Sequence, residues 1–171
     1  MTWRDFRFQF ALLTLGLVGT VGPAAAQTLG GHMGVVFPLV THAGGETTNL
    51  ADNLNFGFPV GITVKGSGRT AFDMEFVPTI QDSPRHVGLT LHPGMLWGLG
   101  KGFTFGMRAA FDVNSSTFGF TPLLNKAWPI HGEGFFKAYF VEAVMPVRFN
   151  RPQGGPATNA VGFGMHFGLG F

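Results

Sequence analysis

The chain has no cysteine, which excludes disulfides, thiolate metal sites and cysteine nucleophiles and leaves stability to packing and backbone pairing. Charge is scarce as well. Lys, Arg, Asp and Glu make up 12% of the 171 residues, about half of what an ordinary soluble surface carries. No basic or acidic run occurs. The formal charge is only +2, and two of the eleven Lys/Arg are Arg4 and Arg7, so no nucleic-acid partner is expected. Serine is limited to Ser67, Ser83, Ser115 and Ser116, all in turn-like stretches. No internal repeat of solenoid or propeller period is present. Beyond the N-terminal region, Pro, Gly or charge interrupts every apolar stretch, so no membrane-spanning helix is predicted there.

The N-terminal region has Arg4 and Arg7, an apolar run from Ala11 to Val21, then Pro23-Ala24-Ala25-Ala26-Gln27. Positive start, short apolar middle and small residues before a cut predict a secretory signal over 1–26. A retained helix is the alternative. The run is short for one and is interrupted by Thr14, Gly16, Gly19 and Thr20. The remainder, 27–171, is of single-domain size.

Abundance lies in phenylalanine (20) and glycine (27), arranged with a period of two. Over 161–171, Val161, Phe163, Met165, Phe167, Leu169 and Phe171 alternate with Gly162, Gly164, His166, Gly168 and Gly170. A strand sends successive side chains to opposite faces, so one face here is wholly apolar and the other small and weakly polar. The same reading gives eight strands, at about 29–40, 54–65, 70–80, 86–98, 103–113, 117–125 and 135–149 plus the terminal segment. The sixth is the weakest in pattern.

Charges inside these strands fall opposite the apolar face. Asp73 and Glu75 oppose Phe72, Met74 and Phe76; Arg108 and Asp112 oppose Phe103, Phe105, Met107 and Phe111; Glu142 and Arg148 oppose Tyr139, Val141 and Phe149. Apolar out and polar in is the pattern of a membrane-spanning barrel and the reverse of a soluble one. The predicted fold class is therefore all-β: a closed antiparallel up-and-down eight-stranded transmembrane β-barrel over 27–171, preceded by a cleavable signal peptide. Short turns at 66–69 and 98–102 contrast with longer connections at 41–53 and 150–158, the usual asymmetry of such barrels. Trp97, Phe103, Trp128 and Phe171 fall at one boundary level and Phe37, Phe56, Phe76 and Phe149 at the other, which predicts two aromatic girdles. Pro38, Pro59, Pro78, Pro93, Pro122 and Pro146 weigh against a closed barrel, because proline gives no ladder donor; a bulge is expected at Pro93.

The signal, the chain length after it, the strand count and the run Gly162-Phe163-Gly164-Met165-His166-Phe167-Gly168-Leu169-Gly170-Phe171 carry a family resemblance. The chain resembles the small eight-stranded outer-membrane barrels of the OmpA transmembrane-domain and OmpX type. That resemblance implies the bacterial outer membrane as location and outer-membrane lipid as surroundings. It also implies that the barrel-assembly machinery recognises the terminal strand through Phe163, Phe167, Leu169 and Phe171. Short outer loops and strand prolines depart from the pattern and disfavour a loop-based adhesive role.

Eight strands leave an interior about filled by side chains. Glu75, His92 and Arg108 fall at similar heights on consecutive strands, so Arg108 is predicted to reach across one strand to Glu75, beside His92, with Asp73 below and Asp112 above. Glu142, Arg148, His32 and His166 also point inward and complete a predicted polar network. Ionisable groups inside a membrane mark candidate ion paths, but the narrow bore favours a salt-bridged plug. His32 and His166 are expected to become neighbours near the periplasmic mouth, where the first strand meets the eighth. Two imidazoles with no evident third ligand do not specify a metal, and no cofactor is expected.

An acyl-modifying enzyme acting on lipid A would need a nucleophile within reach of a base. The single serine–histidine neighbourhood, Asp82-Ser83-Pro84-Arg85-His86, reads as turn chemistry. Gly98-Leu99-Gly100-Lys101-Gly102 lacks the spacing of a phosphate loop, Asn114-Ser115-Ser116 reads as a turn, and Glu46 with Asp52 is too sparse for calcium. The expectation is a monomeric, non-enzymatic outer-membrane protein with a plugged lumen and a structural or loop-mediated role. The alternatives are a narrow channel for small solutes and, third, a lipid A acyl-modifying enzyme.

Overall fold

The computed structural model describes residues 27–82 and 84–171; the expected signal over 1–26 lies outside them. The described residues form β1 (Thr28–Ala43), β2 (Glu46–Asn49), β3 (Asn55–Gly57), β4 (Val60–Lys65), β5 (Thr70–Gln81), β6 (His86–Gly100), β7 (Phe103–Asp112), β8 (Thr117–Pro129), β9 (Ala138–Val144), β10 (Val147–Asn150) and β11 (Thr158–Gly170). No helix among them is long and apolar enough to cross a membrane. Pairing is antiparallel and up-and-down throughout. It passes from β1 through β3 and β4 to β5, β6, β7, β8, β9 and β11, and β11 pairs back on β1 from His32↔Gly170 to Ala43↔Ala160. β3 with β4, and β9 with β10, are each one passage with a lapse in pairing. The sheet is thus a ring of eight strands, compatible with a barrel.

Both lapses fall at prolines and neither changes the register. Val36↔Gly57 and Met33↔Val60 keep equal spacing across Phe58-Pro59, as Leu123↔Val144 and Phe120↔Val147 do across Met145-Pro146. Proline removes one donor and leaves its carbonyl free to accept. The Phe58 N–H donates to Pro78 O at 2.8 Å and the Gly34 N–H to Pro59 O at 3.0 Å; the Met145 N–H donates to Pro122 O at 3.0 Å and the Gly162 N–H to Pro146 O at 2.9 Å. The ring therefore accommodates these prolines without an edge.

The bulge expected at Pro93 is absent. Met74↔Pro93 is in register, and the β6–β7 ladder lapses between Leu91↔Phe111 and Gly94↔Arg108 with equal residues on both strands. A bulge needs an extra residue on one strand, whereas proline only withdraws a donor. The irregularities lie instead between Pro38 and Val40 and between Gly98 and Gly100.

Three boundaries also differ from expectation. The connection expected over 41–53 contains a hairpin, β1 to β2, turned by Gly44 and Gly45 at φ 60° and 87°, a two-residue turn that asks for glycine at both positions. β8 runs on to Pro129 because Lys126, though outward, does not end the strand. Its Nζ donates to the Lys101 carbonyl and lies 4.4 Å from the Phe103 ring centre, so the stem stays on the apolar face while the charge reaches the turn. β9 begins at Ala138, and the Ile130 N–H to Lys137 O bond (2.8 Å) closes the turn before it.

Alternation is clearest on β5. Ala71, Asp73, Glu75 and Val77 are buried, while Phe72 and Phe76 are 47% and 40% exposed. Apolar burial inside the ring is small, consisting of Ala71, Val77, Ala110, Leu123, Phe140 and Val144. Most large apolar side chains face outward, and rings cluster toward both ends: Trp97 stacks on Phe105 (5.7 Å), Trp128 on Tyr139 (5.2 Å) and Phe135 on Phe171 (4.8 Å) at one, and Phe149 lies against Phe118 (5.7 Å) at the other.

Candidate functional site

Inside the ring, His32 of β1, Asp73 and Glu75 of β5, His92 of β6, Arg108 of β7, Glu142 of β9 and His166 of β11 converge, none more than 8% exposed. Arg108 is the hub. Its Nε donates to Asp73 Oδ2 at 2.9 Å, and its Nη1 donates to Glu142 Oε1 at 2.9 Å and lies 3.2 Å from Glu75 Oε2. The predicted reach to Glu75 is present, but the heights differ. Register places Arg108 level with Gly94 and Asp73, and Glu75 level with His92. The guanidinium crosses β6 because position 94 is glycine: a Cβ there would stand 2.6 Å from Arg108 Cγ.

The imidazoles have distinct roles. His92 Nδ1 is 3.0 Å from Glu75 Oε1, and its Nε2 is 3.0 Å from Arg148 Nη2. A guanidinium only donates, so Nε2 is the acceptor and Nδ1 carries the hydrogen given to Glu75. His32 Nε2 donates to Glu75 Oε2 at 3.0 Å, its ring lying over Gly61, where any Cβ would overlap it. His166 Nδ1 lies 3.3 Å from Glu142 Oε1, and its buried Nε2 has no partner. His32 and His166 are neighbours as expected (ring centres 6.0 Å apart), but within the cluster rather than at a mouth.

Neighbouring polar groups complete the carboxylates. Thr63 Oγ1 donates to Asp73 Oδ1 at 2.7 Å and Asn125 Nδ2 to Glu142 Oε2 at 3.3 Å. Arg148 is only half-buried and also donates to Thr121 Oγ1 at 3.1 Å. Asp112 stands apart from the hub and accepts from Thr90 Oγ1 at 2.7 Å. Sequence reasoning missed Phe140, which packs edge-on against His32 (5.9 Å) and His166 (4.9 Å). It is an aromatic at an inward position, identifiable only by strict counting from Tyr139.

Glu75, Glu142 and His166 bring ligand atoms within 4.8 Å of one another, a set that holds one histidine of the pair and leaves out His32. Arg108 Nη1 already lies against both carboxylates, so a metal there would have to displace a guanidinium. The donor set is that of an ion-paired network. Among the described serines, Ser116 Oγ donates to Asn150 Oδ1 at 2.7 Å and Ser115 Oγ to Thr117 Oγ1 at 3.0 Å, both in exposed positions away from the cluster. Of the terminal strand's residues, Phe163 and Phe167 are exposed outward, Leu169 is half-buried, and Phe171 covers Gly31.

On the side of the turns at 66–69 and 98–102 the ring is not filled. A vestibule of about 580 Å³ opens there and ends on His32, Arg108 and Glu142. The arrangement thus pairs a buried, cross-linked charge cluster with a hollow open to one end. No family model, no curated protein and no solved structure matches this chain.

Proposed function

We propose that this chain is an integral outer-membrane β-barrel protein of the bacterial envelope, non-enzymatic and monomeric, exported by its N-terminal signal. Lipid surrounds its outward face, and the ion network plugs its interior. The barrel-assembly machinery is its partner during biogenesis, through the terminal aromatic strand. The role that fits is structural, or mediated by the connections opposite the vestibule.

One observation carries the reading: the molecule is inverted. Asp73, Glu75, Arg108 and Glu142 are no more than 3% exposed, while Phe72, Phe105, Phe111, Phe118, Leu124 and Phe167 are each 39% exposed or more. In water that distribution is unfavourable on both counts, since it leaves apolar area wet and charge dry. In a bilayer the outer surface is solvated by acyl chains, and a ring of strands satisfies every backbone group internally. The stacked aromatic pairs at one end, with Lys126 among them, suit the headgroup level.

Fractionation with heat-modifiable migration on a detergent gel tests this reading. Expected are recovery in outer-membrane fractions and faster migration of the unboiled form. Recovery from the soluble fraction, with no mobility shift, overturns it. The vestibule, which brings solvent to one side of the cluster, is the observation that favours a channel instead. Planar-bilayer recordings separate the two: silence fits a plug, and discrete steps altered by Arg108→Ala fit a narrow channel.

A further inference from the structure

We infer that the vestibule is a blind binding pocket for a small molecule or headgroup bearing a phosphate. Its volume, about 580 Å³, falls within the usual range of small-ligand sites, roughly 300–1,000 Å³. It ends on the buried cluster, so a solute that enters meets a wall of ion-paired side chains rather than a passage. The space exists because many inward positions along this wall are small, Gly30, Thr63, Ala71, Gly98 and Ala138 among them, with Leu96, Leu123 and Phe140 as the large ones.

Charge selects the occupant. Lys65 at the end of β4, Arg69 in the next turn and Lys137 before β9 all line this cavity. Among the described residues none of the three pairs with a carboxylate; Asp73, Glu75 and Glu142 lie deeper, where they share Arg108 and are otherwise held by Thr63, Asn125 and the histidines. Lys101 belongs to the same end, whose turns contribute a single acid, Glu133, whereas the opposite connections carry Glu46, Asp52 and Asp82. Three exposed cations around one concave mouth, Lys65 and Arg69 from one hairpin turn and Lys137 from another, focus a positive field into it, and a phosphate between them relieves their mutual repulsion. Thr104 and Asn125 add polar atoms along the wall for the remainder of the ligand.

Two sources supply that chemistry: a free phosphate or phosphate ester, and the headgroup of an anionic phospholipid. The test uses the full mature chain folded in a maltoside detergent, which carries no phosphate, with amide chemical shifts followed by NMR in two arms, one titrated with inorganic phosphate and the other with phosphatidylglycerol. Saturable shifts at Thr63, Gly98 and Ala138, inside the vestibule, are expected in at least one arm, and the arm that produces them names the source. The triple substitution Lys65→Gln, Arg69→Gln, Lys137→Gln is at exposed positions and should leave the amide spectrum otherwise that of the folded chain. It should weaken that binding by at least roughly tenfold. The inference is overturned if neither arm moves those amides, if the shifts grow linearly without saturation, or if they survive the triple substitution. It stands apart from the membrane reading: recovery from the soluble fraction would sink that reading and leave the pocket, while absent shifts would do the reverse.

Discussion

The two halves of the ring's interior are built on the same strands and end in opposite states. At the level of Glu75, His92 and Glu142 the interior is filled, and toward the short turns it is hollow. The outer surface does not register the change. Phe72, Phe105 and Leu124 are as exposed beside the hollow as Phe76, Phe111 and Phe120 are beside the cluster. What changes is the size of the inward side chain, from Asp73, Glu75, His92 and Arg108 to Gly30, Ala71, Gly98 and Ala138. The outer face is thus set by the surroundings and the inner face by what must fit. Glycine serves two different ends in this wall. At Gly94 and Gly61 it yields its space to Arg108 and His32, and at Gly98 the space stays empty.

Removing the hub should separate the two halves most strongly. Arg108→Met leaves Asp73, Glu75 and Glu142 buried without their cation. Stripping one partner from a buried ion pair costs about 3–5 kcal/mol. Reversible urea unfolding in lipid vesicles should show a loss of that size, whereas Lys65→Met, in the hollow half, should stay within about 0.5 kcal/mol. Equal losses would mean that the cluster is no more important to stability than the rim.

The outer face gives the next largest effect and tests the surroundings directly. Met107 points outward from the residue beside Arg108, opposite Met95 on one neighbour and Pro122 on the other, midway along the wall. Met107→Arg should cost about 2–4 kcal/mol if acyl chains surround that level. In water the same change would be close to neutral. A matched pair, Met107→Arg and Met107→Leu, followed by vesicle refolding yield and urea midpoint, separates the two environments without touching the interior.

Much of this was legible in the sequence because a strand's period is fixed. Counting by twos placed Asp73, Glu75, Arg108 and Glu142 on one face and the aromatics on the other, and the strand order put a single strand between Arg108 and Glu75. Heights were less legible. Register depends on turn lengths and on where ladders lapse, which is why Arg108 stands level with Asp73 rather than Glu75. Proline misled at position 93, since a missing donor does not imply an extra residue. The convergence on Glu142, two strands beyond Arg108 in the ring, came from curvature that no local pattern encodes. The vestibule was hidden for a related reason: glycine and alanine look alike in sequence whether their space is taken or left open.

That last ambiguity yields the finest test. Gly94 and Gly98 lie on one strand, both inward, and neither is at positive φ. A Cβ at Gly94 would stand 2.6 Å from Arg108 Cγ and 2.6 Å from the Met107 carbonyl oxygen, a backbone atom that cannot swing aside. At Gly98 the nearest atom, the Arg69 carbonyl oxygen, is 3.5 Å away, an ordinary contact. Gly94→Ala should therefore cost about 1–3 kcal/mol as overpacking. Gly98→Ala should be neutral or slightly stabilising, since alanine loses less backbone freedom than glycine in an extended segment. Placing Gly94→Ala in the Arg108→Met background separates clearance for the guanidinium from backbone crowding. If the cost falls there, the glycine was making room for Arg108; if it is unchanged, the Met107 carbonyl sets the limit and the residue would be glycine whatever crossed it.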